Sequence, residues 1–340
     1  MHVNVAIVGL DRLSASFGLA LKRYQNQPRA EHSFTIIGSD THTQAMKAAE
    51  KMGAVDNFDR KLLKATDNAD LILINAPASK LEETYTRLGP ELKSGAVVLE
   101  LGSLKQPAVE RAQQHFTKNA EGIPIAYLVG VTPIVSVHGL YNAAFGPEAA
   151  SADLFDNAEF LITPDPKCPA EAIALAEDII KLVGGKPRFM DPVEHDGLIA
   201  ATEGLPDMLS AALFYTLQQS EGWMELRRMI NPTLALATQN LRYQTPADLS
   251  ILMLHNRENL VRHLESLIGV LDELHDALED NDTDKLEAFL SVVAQQWEKW
   301  DVKRHSGKWD DTQEVETLPG PFGSVGGFLT MRRTKSADDD

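Results

Sequence analysis

The stretch Val3 to Val8 is an apolar, β-branched run, the pattern of a strand buried on both faces. Gly9 follows at once, and helical spacing runs from about Leu13 to Tyr24. The pattern predicts a second buried strand over Phe34 to Ile37, ending in Gly38, Ser39 and Asp40, and a helix from Thr43 to Met52 closed by Gly53. Further strands are predicted at Leu71 to Ile74, Ala96 to Leu99, Ala126 to Val129, Phe160 to Thr163 and Pro187 to Met190. Helical periods fall between them at Leu81 to Leu88, Gln106 to Phe116 and Ala170 to Val183. Strands alternating with helices at this spacing predict an α/β fold, an N-terminal Rossmann-type doubly wound parallel sheet. From Pro192 the strand signals stop. Apolar-periodic helical stretches continue to about Trp300, with breaks expected at Pro206, Pro232 and Pro246, which predicts an all-helical C-terminal domain. The expected boundaries are 1–191 for a dinucleotide-binding domain, 192–303 for a helical substrate and dimerisation domain, and 304–340 for a flexible tail.

A chain of 340 residues exceeds one ordinary core, which agrees with two domains. Lys and Arg number 32 against 49 Asp and Glu, a net charge of −17 that argues against a nucleic-acid binder and against docking on anionic lipid. One cysteine, Cys168, rules out an intrachain disulfide and an all-cysteine metal site, and no metal is expected. No apolar run reaches the roughly 20 residues of a membrane helix, and the opening MHVNVAIVGL lacks a basic leader. A cytoplasmic protein is expected. Asp310 to Glu316 is acidic and Leu318 to Phe328 is rich in Gly and Pro, with Phe322, Phe328 and Leu329 as candidates to dock on a partner subunit.

A strand, a glycine turn and a helix, followed by an acid at the end of the second strand, is the layout that binds a dinucleotide. Gly9 supplies the tight turn. Asp40 is placed to bond both ribose hydroxyls, which favours NAD over NADP; its bland alternative is a helix N-cap. The G-x-G-x-x-G fingerprint is altered, with Asp11 and Ser14 at the second and third glycines. Asp11 puts a carboxylate where backbone should approach pyrophosphate. At ~4–5 Å that repulsion is roughly 1 kcal/mol in water and ~3–4 kcal/mol at an effective dielectric of 20. Asp11 is also a natural cap for the helix that follows. Leu13, Ala76 and Pro77 complete the expected cofactor contacts.

Further motifs carry a resemblance. They are Asp70-Leu-Ile-Leu-Ile-Asn-Ala-Pro77, Glu100-Leu-Gly-Ser-Leu-Lys105, Gly130-Val-Thr-Pro133, Asp153-Leu-Phe155 through Leu161-Ile-Thr-Pro164, Glu194-His-Asp196, Gly222 to Met229, and His255-Asn-Arg-Glu-Asn259. In this order, from about Val3 to Ile268, the chain resembles the prephenate/arogenate dehydrogenase family of tyrosine biosynthesis. The resemblance implies NAD(P)-dependent oxidative decarboxylation: a hydride leaves the ring carbon that bears the hydroxyl, and CO₂ is lost as the ring aromatises. It implies Ser103 as the residue orienting a hydroxyl acceptor, Arg228 as the cation for a carboxylate of a small dicarboxylate substrate, and Lys105 and Asn256 as polar contacts. It also implies a homodimer formed through the helical domain.

The departures are chemical. Thr132 stands where the family has a catalytic histidine, and a threonine is no base near pH 7. The family's S-H-L-P-H stretch is Glu203-Gly-Leu-Pro-Asp207 here, without either histidine. His138 is a candidate replacement base. His195 and Asp196 read best as a hydrogen-bonded helix start. Two functions follow: a dehydrogenase with a divergent site, or a scaffold that binds a ligand or partner without hydride transfer. A β-hydroxyacid-type dehydrogenase on the same plan is a third, disfavoured by the D-L-F … L-T-P segment.

Overall fold

The computed structural model describes residues 1–135, 146–242, 244–306 and 309. The 304–340 tail beyond these residues, and His138, lie outside them. Eight strands form one sheet: β1 (His2–Val8), β2 (Ser33–Ser39), β3 (Asn57–Phe58), β4 (Leu71–Ile74), β5 (Val97–Glu100), β6 (Tyr127–Ile134), β7 (Glu159–Pro164) and β8 (Lys186–Phe189). Their order is β3-β2-β1-β4-β5-β6-β7-β8. The chain winds outward from β1 to β3, then crosses back to β4 on the other side of β1. The carboxyl ends of β1 and β4 therefore flank the point where the winding reverses, the place where this architecture opens a ligand crevice.

Both faces of the sheet are buried, and alternation in the short strands shows it. Val5, Ile7, Leu71, Leu73 and Leu99 point to one core, with α1 (Arg12–Gln25), α2 (Thr43–Lys51) and α6 (Ala170–Leu182) packed on it. Ala6, Ile72, Ile74 and Val98 point to the other, under α4 (Leu81–Leu88) and α5 (Lys105–His115). A strand apolar on both faces has no polar side to give to water, so helices cover both.

Two expectations need correction. The sheet is not wholly parallel: β7 runs antiparallel to β6, with Thr132 opposite Leu161. Pro206 does not break the helical stretch. It is the second residue of α8 (Leu205–Gln218), which continues α7 (Pro192–Ile199) through a π-helical turn at Ala200–Gly204. The widened turn removes the need for an N–H at Pro206. Pro232 and Pro246 do open new helices, α10 (Pro232–Thr238) and α11 (Pro246–His255), after the short α9 (Trp223–Met229). Two small elements lacked a legible pattern, β3 and α3 (Leu62–Ala65).

Compactness divides the chain at Arg257/Glu258. Within the first unit, α7 and α11 pack on the start of α5 through Leu104, Ile199 and Leu252. The Asp248 carboxylate of α11 accepts the Ser79 N–H at 2.9 Å. The second unit contains most of α12 (Arg257–Glu279) and all of α13 (Thr283–Ser306), joined by a turn in which Asn281 is left-handed at φ 52°. Leu271, Leu278, Leu290, Val293, Trp297 and Trp300 are exposed along these helices.

Candidate active site

The first site is the β1–α1 turn. Gly9 has φ +85°, and a Cβ there would lie 2.1 Å from the Asn75 carbonyl oxygen, so only glycine lets the ends of β1 and β4 approach this closely. Asp40 closes the turn from β2. Its carboxylate accepts the Leu10 and His42 N–H groups, each at 2.7 Å. Asp11 caps α1: its side chain accepts the Ser14 N–H at 2.9 Å while the Ser14 hydroxyl takes the Asp11 N–H at 3.0 Å. Burial raises the Asp11 carboxyl above its ordinary value, against the hydrogen bonds from Ser14, Asn75 and Leu13. Leu13 and Ala76 are half-buried and Pro77 is exposed beside the turn. These residues fit a dinucleotide at the crevice. The first turn of α1, where a pyrophosphate would take backbone N–H groups, already serves the chain's own carboxylate.

The second site lies at the carboxyl end of β5. Glu100, its last residue, is fully buried and accepts the Tyr85 hydroxyl at 2.7 Å and the Gly102 N–H at 2.8 Å. Lys105 opens α5 and is also fully buried. Its ammonium donates to the carbonyls of Glu100 at 2.9 Å, Gly102 at 2.6 Å and Val131 at 3.0 Å. Burial pulls this amine down to about 8, opposed by the nearby carboxylates of Glu100, Asp196 and Glu203. Three acceptors consume its three N–H bonds. Lys105 thus clamps the ends of β5 and β6, in place of the substrate contact expected from the sequence. Gly130 makes the clamp possible, since a Cβ there would meet the Lys105 stem at 2.9 Å and the Thr163 hydroxyl at 2.2 Å.

Thr132 lies on β6, two residues past Gly130, which pairs with Glu100. It stands just outside the carboxyl end of β5. Its Oγ1 is 2.8 Å from Nε2 of His195, and Nδ1 of His195 is 2.9 Å from an Asp196 oxygen. Asp196 also accepts the N–H groups of Lys105 at 2.8 Å and Gln106 at 3.0 Å, and lies 3.3 Å from Nε2 of His255. Four donors occupy the carboxylate. Its pKa lies well below the ordinary range: burial opposes the charge, and the bonds from His195, His255 and the two backbone groups outweigh that. Burial pulls the His195 imidazole below its ordinary value, Asp196 opposes, and the Lys105 charge adds to the lowering. His195 is therefore neutral at pH 7. A carboxylate of this kind only accepts, so Nδ1 carries the ring proton and Nε2 is the acceptor. The Thr132 hydroxyl must donate to Nε2, and its lone pairs remain to accept.

His195 and Asp196 are thus more than the start of their own helix. Asp191 caps α7, and Asp196 caps α5 across the fold. Ser103 bonds the Glu203 carboxyl instead of orienting Thr132. Glu203, in the π-helical turn, is raised by burial and by Asp207, with Ser103 and Lys105 opposing. Asp207 accepts the amides of Asn240 and, at 3.1 Å, Gln244. Asn256, at the end of α11, is buried, and its Nδ2 has no hydrogen-bond partner among the described residues. Arg228 is exposed on α9 without an ion pair or hydrogen bond among them. The Glu194-His-Asp196 triplet marks two residues of this hub in the sequence but carries no sign that they meet Thr132.

Known proteins match this organisation. Residues 17–188 match the nucleotide-binding domain of prephenate dehydrogenase, and residues 191–292 match its dimerization domain. The chain is 25% identical over 298 residues to a prephenate dehydrogenase of Bacillus subtilis, covering 86% of this chain and 75% of that one. It is 25% identical over 289 residues to a cyclohexadienyl dehydrogenase of Zymomonas mobilis, covering 83% of this chain and 91% of that one. Its fold is similar to a crystal structure of prephenate dehydrogenase from A. aeolicus in complex with hydroxyphenyl propionate and NAD+, with a TM-score of 0.71 at 22% identity, over 87% of this chain and 98% of that one. Its nucleotide-binding and helical parts, in that order over most of its length, place the chain in the prephenate dehydrogenase family.

Proposed function

We propose that this chain oxidatively decarboxylates prephenate or arogenate with NAD(P)+ as the oxidant. The observation that carries the reading is Thr132, a hydroxyl at the carboxyl edge of the sheet whose own proton is committed to His195. Its lone pairs accept the hydroxyl of the substrate ring and aim it along the edge toward the crevice. Bound NAD(P)+ supplies the hydride acceptor. Gly9, Leu13, Ser14, Ala76 and Pro77 border that crevice. Asp40 Oδ1 is crowded by Thr41 and His42, but Oδ2 takes only the Leu10 N–H, which leaves it a lone pair for a ribose hydroxyl, and the charge repels a 2′-phosphate; this supports NAD.

Arg228 is the cation we assign to a substrate carboxylate, and the Asn256 amide a polar contact to it. Ser103, held by Glu203, borders the same edge. The exposed apolar residues of α12 and α13 support a homodimer through the helical part, and the acidic chain with a single cysteine suits the cytoplasm. Among the described residues no helix is long and apolar enough to cross a membrane.

The test is NADH formation with prephenate, and separately with arogenate, at high NAD+. Turnover of either supports the reading. No turnover of either, with calorimetry still recording a bound dicarboxylate, makes the chain a binding scaffold. Asp11, which occupies the first turn of α1, is the observation that keeps this second reading open.

A further inference from the structure

We propose that Thr132 and His195 form a reversible proton shuttle that replaces a directly acting base: Thr132 touches the substrate hydroxyl, and His195 stores its proton. The proposal rests on the dehydrogenase reading above and extends it to residues that Thr132 alone does not explain.

A threonine hydroxyl is far too weak an acid to ionise near neutrality, and so cannot be a base in its own right. It can still pass a proton through, because its oxygen accepts on one side while its O–H donates on the other. That requires an acceptor held behind it in one tautomer. His195 satisfies this at 2.8 Å, and Asp196 fixes the tautomer at 2.9 Å. Asp196 is itself immobilised by the backbone of Lys105 and Gln106 and by His255. Four elements, β6, α7, α5 and α11, meet at the His195–Asp196 pair, whose imidazole is wholly buried and cannot reach a substrate directly. His195 therefore acts through Thr132 and is a positioning residue.

The shuttle balances. As the ring C–H leaves as hydride to bound NAD(P)+, the substrate O–H breaks. Its proton bonds to Thr132 Oγ1, and the original Thr132 proton bonds to His195 Nε2. The O–H electron pair becomes the π-bond of a ring carbonyl. The C–C bond to the leaving carboxylate then breaks, CO₂ departs, and the electron pair flows through the ring to the carbonyl oxygen as the ring aromatises. The product oxygen is a phenolate, whose conjugate acid has a pKa near 10. It is far more basic than the imidazole, so the proton returns through Thr132. The net reaction releases no proton, and a buried store is suited to such a loan. The groups around His195 are Asp196, which stabilises the imidazolium, and Lys105, which disfavours it; behind them stand His255, Glu100 and Glu203.

The test compares full-length parent, Thr132→Val, Thr132→Ser, His195→Asn and the Thr132→Val/His195→Asn double variant, each with saturating NAD+ and prephenate or arogenate. Thr132→Val keeps the side-chain shape and is the safer variant if His195→Asn fails to fold. The expected result is a kcat lower by ~10²–10⁴-fold in each single variant with KM little changed. Thr132→Ser should keep most of the rate. The double variant should be no slower than the worse single variant, because both interrupt one path. The parental kcat/KM should fall on the acid side, at a pH lower than an ordinary imidazole would set, as His195 protonates, and that limb should vanish from the residual rate of Thr132→Val. A His195→Asn protein with parental kcat and an intact acid limb, or single effects that multiply in the double variant, overturns the shuttle while leaving the dehydrogenase reading in place. A parent inactive on both substrates overturns that reading, and the shuttle with it.

Discussion

Two of the aspartates that cap helix N-termini in this molecule, Asp11 and Asp196, are opposites. Asp11 caps its own helix, α1, from three residues away, and its carboxyl is raised because burial outweighs a few local bonds. Asp196 caps α5 from 91 positions away in the chain, and its carboxyl is depressed because four donors outweigh burial. Both stand near turns where the family pattern is altered. At α1 the altered residue closes on itself and takes up N–H groups that a phosphate would use. At β6 the altered residue, Thr132, gains a long-range partner and keeps an open acceptor face. A departure from a motif is thus a loss or a substitution according to what the new side chain bonds.

The largest expected effect is at Asp196. Asp196→Ala strands the N–H groups of Lys105, Gln106 and His195 in the interior and should cost about 3–5 kcal/mol at pH 7, read by urea unfolding of the first unit's transition. The pH dependence separates the two aspartates. The folded pKa of Asp196 lies below its unfolded value, so its stabilisation is present above about pH 4 and is lost as pH falls further. The folded pKa of Asp11 lies above its unfolded value, so its contribution is full below about pH 4 and is lost as pH rises through the folded value. The Asp196→Ala deficit should shrink in acid. Asp11→Asn, which keeps a capping oxygen, should be near neutral in stability at pH 7. A deficit for Asp196→Ala that is constant with pH breaks the contrast.

Next is the cofactor turn. Asp11→Asn or Asp11→Gly should tighten NAD+ by roughly 1–4 kcal/mol in calorimetry, the scale of the repulsion removed. Equal affinity would mean that the capped carboxylate is turned away from the phosphates. Asp40→Ala should weaken NAD+ more than NADP+ in the same titration.

Much of this was legible in the sequence because the signals are local. Leu71–Ile74 and Leu81–Leu88 fall where the periodicity predicts them. The reversed direction of β7 was not legible, because a buried apolar run reads the same in a parallel or an antiparallel neighbour. The continuity through Pro206 was hidden by a π-helical turn that no periodicity encodes. The cap formed by Asp11 was legible, since it spans three residues. The hub was not: Thr132 and His195 are 63 positions apart, and a buried histidine next to an aspartate has no sequence mark that distinguishes it from a helix start. The clamp made by Lys105, expected as a polar contact to substrate, was not legible because its three carbonyl acceptors are backbone atoms.

The smaller effects concern the substrate. Arg228→Ala should weaken a dicarboxylate by about 2–4 kcal/mol, and Arg227→Ala by much less, because neighbouring helix positions point apart. The reverse order in KM would move the carboxylate site to Arg227. Thr132→His, which restores the family residue, should bring no gain over the parent, because the imidazole behind it already stores the proton. A large gain in kcat would show that Thr132 had lost the acceptor instead of relaying to a new one.

The most direct measurement is the NADH absorbance produced by the parent and by Thr132→Val with prephenate and with arogenate at high NAD+. Steady NADH formation by the parent with at least one substrate is expected, with a rate ~10²–10⁴-fold lower for Thr132→Val at similar KM. Equal rates for the two proteins, or no NADH from the parent with either substrate, would contradict it.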